Sequence, residues 1–593
     1  MPRTRRGRRI ALGLLAFVVA AVMWGASFIK PYATGFGDWQ WFHFMWESGR
    51  ASYLRFHEVP LWQPYHCGGV PMWGGPQTQL YAPTYLFFGL IFGTTIGHKL
   101  YLLFHATLGL AGMYVLCRRI YGLDTTGACA AAFIWCCSGF FAWHGAGGHA
   151  TYLAFYYGPW ILYSFRRALR EPRWTCGVAI WMTMCMLEGG HYPFPFFVLL
   201  LAFDAIGLLL ERRATLWQLT RTAVVSGLLT LGLGAMRVVP ILITVTRYPK
   251  IVVDDDHLSI AEVFDMLTSR EQRWSWPPHR WVWPEYGAYV GWIVLAIAAI
   301  GLIFALLGKG RRHLIAGFLL FFGFTMGAAG EYYPWPLMQH LPVYKSIHLP
   351  SRWRVLLTFY VAMLAGLAVA RIGALVRRRA SAGVARAVRI GLALVVLGAA
   401  ADMLTVNLVT VERWHGTPID DVQAETPFYL TPGLDYWSTY ASYPMRNVGT
   451  TECYDPVPWP RATGLWYGPG LQARIENGGG TVKATGRTNN TAWADVSLRV
   501  PTRVVFNQNW APGFVTSAGT VIRDPRGRLA VEAPAGDRRI TVRYQPEDLP
   551  WSALASLATL VGIVVALRLR PRDRRRAREM DPLARQSIPA EPR

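Results

Sequence analysis

Apolar stretches of about 14 to 20 residues alternate with short arginine clusters along most of the chain, near the ~20 residues a helix needs to cross a bilayer. The first, Ile10–Ile29, is followed by a polar and aromatic loop, residues 30–81. Tyr85–Ile96 and Leu100–Cys117 come next and end at Arg118-Arg119. If both crossed, that arginine pair would face outward, against the positive-inside rule. Treating Tyr85–Ile96 as half-embedded returns Arg118-Arg119 to the inside and brings every later cluster into phase. The remaining spans are then Ala128–Trp143, Tyr152–Phe165, Gly177–Gly190, Phe194–Leu210, Ala223–Pro240, Val290–Leu307, Leu314–Ala329, Val355–Arg371, Ile390–Leu408 and Leu554–Leu567. This predicts an α-helical polytopic membrane protein of about 12 spans with both termini in the cytoplasm, the topology of a bacterial inner-membrane protein.

Between residues 409 and 550 the pattern changes. Alternating segments such as Ala492–Arg499 and Arg538–Arg543 read as strands. Val500–Phe506 is a β-branched run that Asn507-Gln508-Asn509 would close as a turn, and Asp524-Pro525-Arg526-Gly527 reads as a hairpin turn. The expected organisation is a membrane domain over 1–408, an extracytoplasmic β-sandwich over 409–550, and a last helix with a basic cytoplasmic tail over 551–593.

Composition agrees. Of 593 residues, 53% are hydrophobic and only 16% charged, against about 25% charged in soluble proteins. The net charge of +24 would suit nucleic acid, but the arginines lie between spans, so a nucleic-acid partner is not expected. Arg3–Arg9 ahead of an apolar run resembles a signal peptide. Ile10–Ile29 is nonetheless long enough to span and lacks a small-x-small end, so a retained helix is expected. Six of the eight cysteines lie in or beside apolar spans. Cys67 and Cys453 fall in outer segments, where an oxidising compartment permits a disulfide, although spacing alone does not pair them.

Polar and titratable residues gather in the outer segments: Asp38, His43, Glu47, His57, Glu58, His66, Gln77, Gln79, His149, Glu188, His191, Arg352 and Arg354. Ionisable groups at such depth are costly and point to function. Asp38 opens GDWQWFHFMWESGR, an amphipathic interfacial helix, and reads either as its N-cap or as a catalytic carboxylate. VPLWQPYHCGGVPMWGGPQTQLYAPTYL, dense in Pro, Gly and Trp, reads as a structured re-entrant surface segment. His149 and His191 each follow a glycine pair at a span end, and with Glu188 they could hold a metal, a phosphate or a proton, or be hydrogen-bonded interfacial groups. Arg352 and Arg354 open a span from outside and suit a lipid phosphate, or else snorkel. Arg237 shares their outward position. Asp204 lies mid-span and is expected to pair with a neighbouring helix. Asp254-Asp255-Asp256 is a weak cation site or a solvated loop.

GDWQWFHFMWESGR and PLWQPYHCGGVPMWGGPQTQLYAPTYL resemble the first outer loop of YfhO-type bacterial membrane proteins. GGHATYLAFYYGPWILYSFRRAL, GGHYPF, LPSRWRVLLTFYVAMLAGLAVARI and NWAPGFVTSAG are similar to later segments of that family, in the same order. The similarity covers most of the chain and is weakest between Arg247 and Pro284. Asn507–Phe514 departs from the family's usual Tyr-Pro-Gly-Trp order. The family in turn resembles the GT-C superfamily of membrane glycosyltransferases. That resemblance implies a polyprenyl-phosphate-linked sugar donor, transfer on the outer face to a cell-envelope glycan or lipid, and an essential acidic residue in the first outer loop, which Asp38 matches. Asp38 is thus the expected catalytic residue, with His149, Glu188, His191, Arg352, Arg354 and Gln79 lining the substrate cavity. No cofactor is implied, and a divalent metal is compatible but unsupported by an acidic pair near Asp38. The rivals are a flippase of lipid-linked intermediates, which predicts repeated halves, and a non-catalytic envelope assembly factor.

Overall fold

The computed structural model describes residues 5–35, 37–252, 254–277, 279–308, 311–413, 417–418, 426–433, 442–454, 457–476 and 478–568. The expected basic tail lies outside these residues. Among the described residues, seven helices are long and apolar enough to cross a membrane: Ile10–Phe28, Thr94–Arg119, Thr125–Ala146, Pro193–Leu210, Pro350–Arg379, Ala382–Glu412 and Leu549–Arg568. Shorter apolar helices run over Pro83–Phe92, Trp174–Leu187, Trp292–Leu307 and Arg312–Thr325. The chain is a multi-pass helical membrane protein with a β-sandwich towards its C-terminus.

Pro350–Arg379 is the axis of the bundle, with 83% of its apolar window buried. It packs on Trp292–Leu307, Thr125–Cys136 and Arg312–Thr325. Glycine makes the contact close. A Cβ on Gly301 would stand 1.9 Å from the Leu364 carbonyl oxygen, and Gly127 and Gly366 face each other's carbonyls at 2.4 and 2.6 Å. Small residues of this kind let helix backbones approach inside a membrane, where lipid gives no hydrophobic drive to association.

Pro83–Phe92 has ten residues, about 15 Å of helix, too short to cross about 30 Å of hydrocarbon. Gly93, at φ +76°, turns the chain into Thr94–Arg119. The segment expected to be half-embedded, Tyr85–Ile96, thus holds a short helix and a turn in place of one span. The expected single span Ala223–Pro240 is not one helix either. Leu216–Leu233 and Ala235–Arg247 meet at an 85° bend. Just past the bend, Arg237 is fully buried and donates from Nη1 to the Trp73 carbonyl (2.7 Å) and from Nη2 to those of Gly75 (2.8 Å) and Thr78 (3.3 Å). Arg237 is therefore an anchor for the first loop, set just past the bend between the two helices. Asp204 pairs with Arg166 of a neighbouring helix at 2.5 Å, as expected.

The sandwich strands are β1 (Ala473–Ile475), β2 (Gly480–Arg487), β3 (Thr491–Leu498), β4 (Thr502–Asn509), β5 (Phe514–Thr516), β6 (Thr520–Arg523), β7 (Arg528–Ala533) and β8 (Gly536–Tyr544). They form two antiparallel four-stranded sheets, ordered β6-β7-β4-β1 and β5-β8-β3-β2. The turn over Asp524–Gly527 is present, with Asp524 Oδ1 accepting from the Arg526 and Arg528 amides. Asn507-Gln508-Asn509 is not a turn but the end of β4. The two asparagine side chains are spent on backbone groups of other segments, and Gln508 accepts from the Arg487 guanidinium. Asn507 bonds both the amide and carbonyl of Trp466, while Asn509 donates to the carbonyls of Cys67 (2.6 Å) and Gly69 (2.9 Å).

The first loop is thereby clamped between bundle and sandwich. Leu61, Trp62, Trp73 and Tyr81 belong to the sandwich core with Val504, Leu529 and Ile540. Asn490 Oδ1 accepts from the Leu61 and Trp62 amides. Cys67 and Cys453 form a disulfide. Arg237→Met removes the bundle-side anchor and leaves three carbonyls unsatisfied. The expected cost is about 3 kcal/mol, read as a lower thermal midpoint with faster proteolysis within residues 58–81. A wild-type midpoint and cleavage pattern contradict this assignment.

Candidate active site

Asp38 precedes the helix Trp39–Arg50 but does not cap it. Its backbone is helical (φ −63°, ψ −8°) and its side chain makes no capping bond. The carboxylate instead faces the turn after the helix Gly139–Ala146. That turn comes close because it carries glycine: a Cβ on Gly148 would lie 2.0 Å from the Trp39 nitrogen, and the Asp38 amide donates to the Gly147 carbonyl at 3.0 Å. His149 follows, with Nε2 3.2 Å from Asp38 Oδ2. Tyr454, from the segment leading into the sandwich, donates its hydroxyl to Asp38 Oδ1 at 2.6 Å.

Behind His149 the contacts continue in a line. His149 Nδ1 lies 2.5 Å from His144 Nδ1, and His144 Nε2 lies 3.0 Å from Arg354 Nη2. Guanidinium only donates, so His144 Nε2 must accept. Assigned from this network, neutral His144 carries its proton on Nδ1 and gives it to His149 Nδ1. His149 then holds its own proton on Nε2, aimed at Asp38. The run Arg354–His144–His149–Asp38 orients the carboxylate as a proton acceptor.

Arg352 and Arg354 are both buried, and both are already engaged. Arg352 grips Glu285 through Nη2 (2.6 Å) and Nε (2.9 Å), between the rings of Tyr152 and Tyr192. Arg354 donates to the carbonyls of Pro284, Glu285, Gly287 and Ser351. The two arginines expected to suit a lipid phosphate are thus engaged by Glu285 and by backbone carbonyls in and around the tight turn Trp283–Glu285. Burial pushes the Glu285 carboxyl up, but Arg352, His149 and Arg354 outweigh it and hold it at about 2.

His191 lies on the rim of this group, its Nε2 3.4 Å from Gln77 Nε2. His348 bonds the Tyr192 hydroxyl at 2.8 Å, and Arg352 and Lys250 act electrostatically on both histidines. Glu188 and Gln79 are elsewhere, which corrects their placement in the cavity. Glu188 is fully buried and accepts from Tyr157 (2.6 Å), Thr84 (2.8 Å) and Tyr101 (2.8 Å), with His105 Nε2 at 2.6 Å. Gln79 joins this second network through Tyr101 and the Glu188 carbonyl and accepts from Trp46. The two residues fasten the re-entrant loop to the bundle. Asp254 and Asp256 serve Leu349 and Tyr286, which accounts for them without a cation.

Sequence reasoning missed His144, Glu285, Lys250, His348 and Tyr454. His144 opens the same HGAGGH stretch as His149, five residues apart, and was the one legible signal. The others come from segments with no recognisable pattern.

His144, His149 and Glu285 place ligand atoms within 4.8 Å of one another, a donor set suited to zinc. Here their lone pairs are taken by Arg352, Arg354 and each other, and two guanidinium cations oppose a dication. The residues do not fit a resident divalent metal in this arrangement.

Burial pushes His191 down to about 4 and His348 down to about 3. The unfolded chain therefore binds these protons first, and stability falls as pH drops from about 6.5 towards 4. The depressed carboxyl of Glu285 adds stability above about 4.5 that is lost as pH falls towards 2. Thermal midpoints of His348→Gln should fall less than wild type between pH 6.5 and 4; equal slopes contradict the assignment.

No family model and no curated protein matches the chain. Solved structures similar in fold include archaeal oligosaccharyltransferase AglB from Archaeoglobus fulgidus in complex with an inhibitory peptide and a dolichol-phosphate: 12% identity and TM-score 0.44, over 76% of this chain and 65% of that one. ArnT from Cupriavidus metallidurans bound to undecaprenyl phosphate shows 12% identity and TM-score 0.43, over 74% and 85%. Arabinofuranosyltransferase AftD from mycobacteria shows 14% and 0.47, over 92% and 40%. The chain thus spans about two thirds of AglB and less than half of AftD. At this level of likeness no residue's role transfers.

Proposed function

We propose that this chain is an integral-membrane glycosyltransferase that moves a sugar from a polyprenyl-phosphate donor to a hydroxyl of a cell-envelope acceptor. The observation that carries the proposal is Asp38: a partly exposed carboxylate oriented by the Arg354–His144–His149 run. A general base must be positioned within hydrogen-bond reach of the proton it takes. Asp38 is positioned on one oxygen by His149, and its other oxygen meets a hydroxyl at 2.6 Å, that of Tyr454. The ordered resemblance to YfhO-type and GT-C proteins supports the donor class, and the arginine distribution supports an active site on the outer face of a bacterial inner membrane.

In the proposed step the acceptor oxygen attacks the anomeric carbon and its proton passes to Asp38. The bond from the anomeric carbon to the phosphate oxygen breaks, and the electron pair leaves with polyprenyl phosphate. Lys250 would supply the positive charge for that phosphate, His191 and His348 would serve as neutral imidazole hydrogen-bonding groups, and Arg352 lies behind them. His149 keeps Asp38 turned to the acceptor as its charge changes.

The test is release of polyprenyl phosphate from a panel of polyprenyl-phosphate sugars by purified wild type and Asp38→Asn. Loss of a general base costs about 10²- to 10⁴-fold, so the variant should be silent where wild type turns over. Equal turnover removes Asp38 from the mechanism. No turnover by either protein across the panel contradicts the transferase and favours transport or assembly. Lys250→Ala should raise the donor KM while changing kcat little, and an unchanged KM contradicts its place at the phosphate.

A further inference from the structure

Tyr454 reaches Asp38 from the far side of the chain, and its approach is built rather than incidental. Its neighbour Cys453 is disulfide-bonded to Cys67 of the first loop. Backbone bonds continue the attachment: the Cys67 amide to the Glu452 carbonyl (3.0 Å), Gly68 to Thr450 (2.9 Å) and Thr450 to Tyr65 (3.0 Å). The strap is thus tied to the loop along residues 450–453, and Tyr454 projects from its end onto Asp38. There the phenol hydroxyl lies 2.6 Å from Oδ1, and the ring stands edge-on to Trp41 with centroids 6.0 Å apart.

Two observations separate this contact from ordinary packing. The other tyrosines of the site, Tyr152 and Tyr192, are buried, whereas Tyr454 is 39% exposed. And Asp38 Oδ2 is already committed to His149, so Oδ1 is the oxygen available for a substrate proton. Tyr454 holds that oxygen with a hydroxyl at the distance a reacting hydroxyl needs.

We infer that Tyr454 stands in the place of the acceptor, so that its ring and hydroxyl mark a subsite for a sugar-like, hydroxyl-bearing ligand between Asp38 Oδ1 and Trp41. The subsite pairs one polar anchor with an aromatic wall, the usual make-up of a small-ligand pocket. The Cys67–Cys453 bond keeps the stand-in seated until an acceptor displaces it. The naming of the ligand as an acceptor rests on the transferase reading; the existence of the subsite does not.

The test is carboxyl labelling by a carbodiimide with glycine ethyl ester on the full chain in nanodiscs, reading the Asp38 peptide by mass spectrometry. In Tyr454→Ala, Asp38 labelling should rise about fivefold, the equivalent of one hydrogen bond. Tyr454→Phe, which keeps the ring, and the double variant Cys67→Ser/Cys453→Ser should move in the same direction. A panel of methyl glycosides should suppress the added labelling in Tyr454→Ala, while exposed Glu547 stays unchanged as the folding control. Unchanged Asp38 labelling in Tyr454→Ala overturns the inference, as does a rise that no glycoside suppresses. Glycoside protection without any donor turnover supports the subsite and counts against the transferase reading alone.

Discussion

Glu285 is the anion that allows two arginines to be buried side by side at the mouth of the bundle. Without it, Arg352 would be an unpaired charge in a low-dielectric site, a situation that costs about 3–5 kcal/mol when one partner of a buried pair is removed. With it, Arg352 is neutralised in a bidentate grip, and Arg354 is free to bind the carbonyls of the same turn and to donate to His144. The direction of every proton in the line to Asp38 follows from that donation. A structural ion pair thus sets the chemistry of a residue it does not touch.

The same economy governs the first loop. A Pro-, Gly- and Trp-rich segment cannot satisfy its own backbone, so its partners come from both sides. Arg237 answers its carbonyls from the bundle, Asn490 and Asn509 answer its amides and carbonyls from the sandwich, and the disulfide joins it to the strap. Asp38 and Tyr454 are 416 residues apart and meet because both are tied to this loop. The sandwich is therefore part of the site's architecture and not an appendage.

The helical multi-pass class was legible, because apolar run length is a strong one-dimensional signal, while about 12 expected spans compare with seven long apolar helices among the described residues. Run length located the short helix ahead of Thr94–Arg119, and residue alternation located strands of the sandwich. They missed the bend at Gly234, since hydropathy is blind to direction, and read Asn507–Asn509 as a turn because those residues usually serve their own backbone and here serve another segment's. At the site, Asp38, His149 and His191 stood out by position. Glu188 stood out equally and belongs to a closed network, since a carboxylate at a span end looks the same whether it faces a cavity or four donors. Glu285, Lys250, His348 and Tyr454 come from segments whose meeting depends on tertiary contacts, and no spacing rule reports those.

The most direct measurement is an experimental structure of the full chain in a lipid nanodisc with a polyprenyl-phosphate sugar bound. The account predicts the phosphate beside Lys250, His191 and His348, with the anomeric carbon turned to Asp38 and the Arg354–His144–His149 line intact. A donor bound at the opposite end of the bundle, or with its sugar away from Asp38, would contradict it.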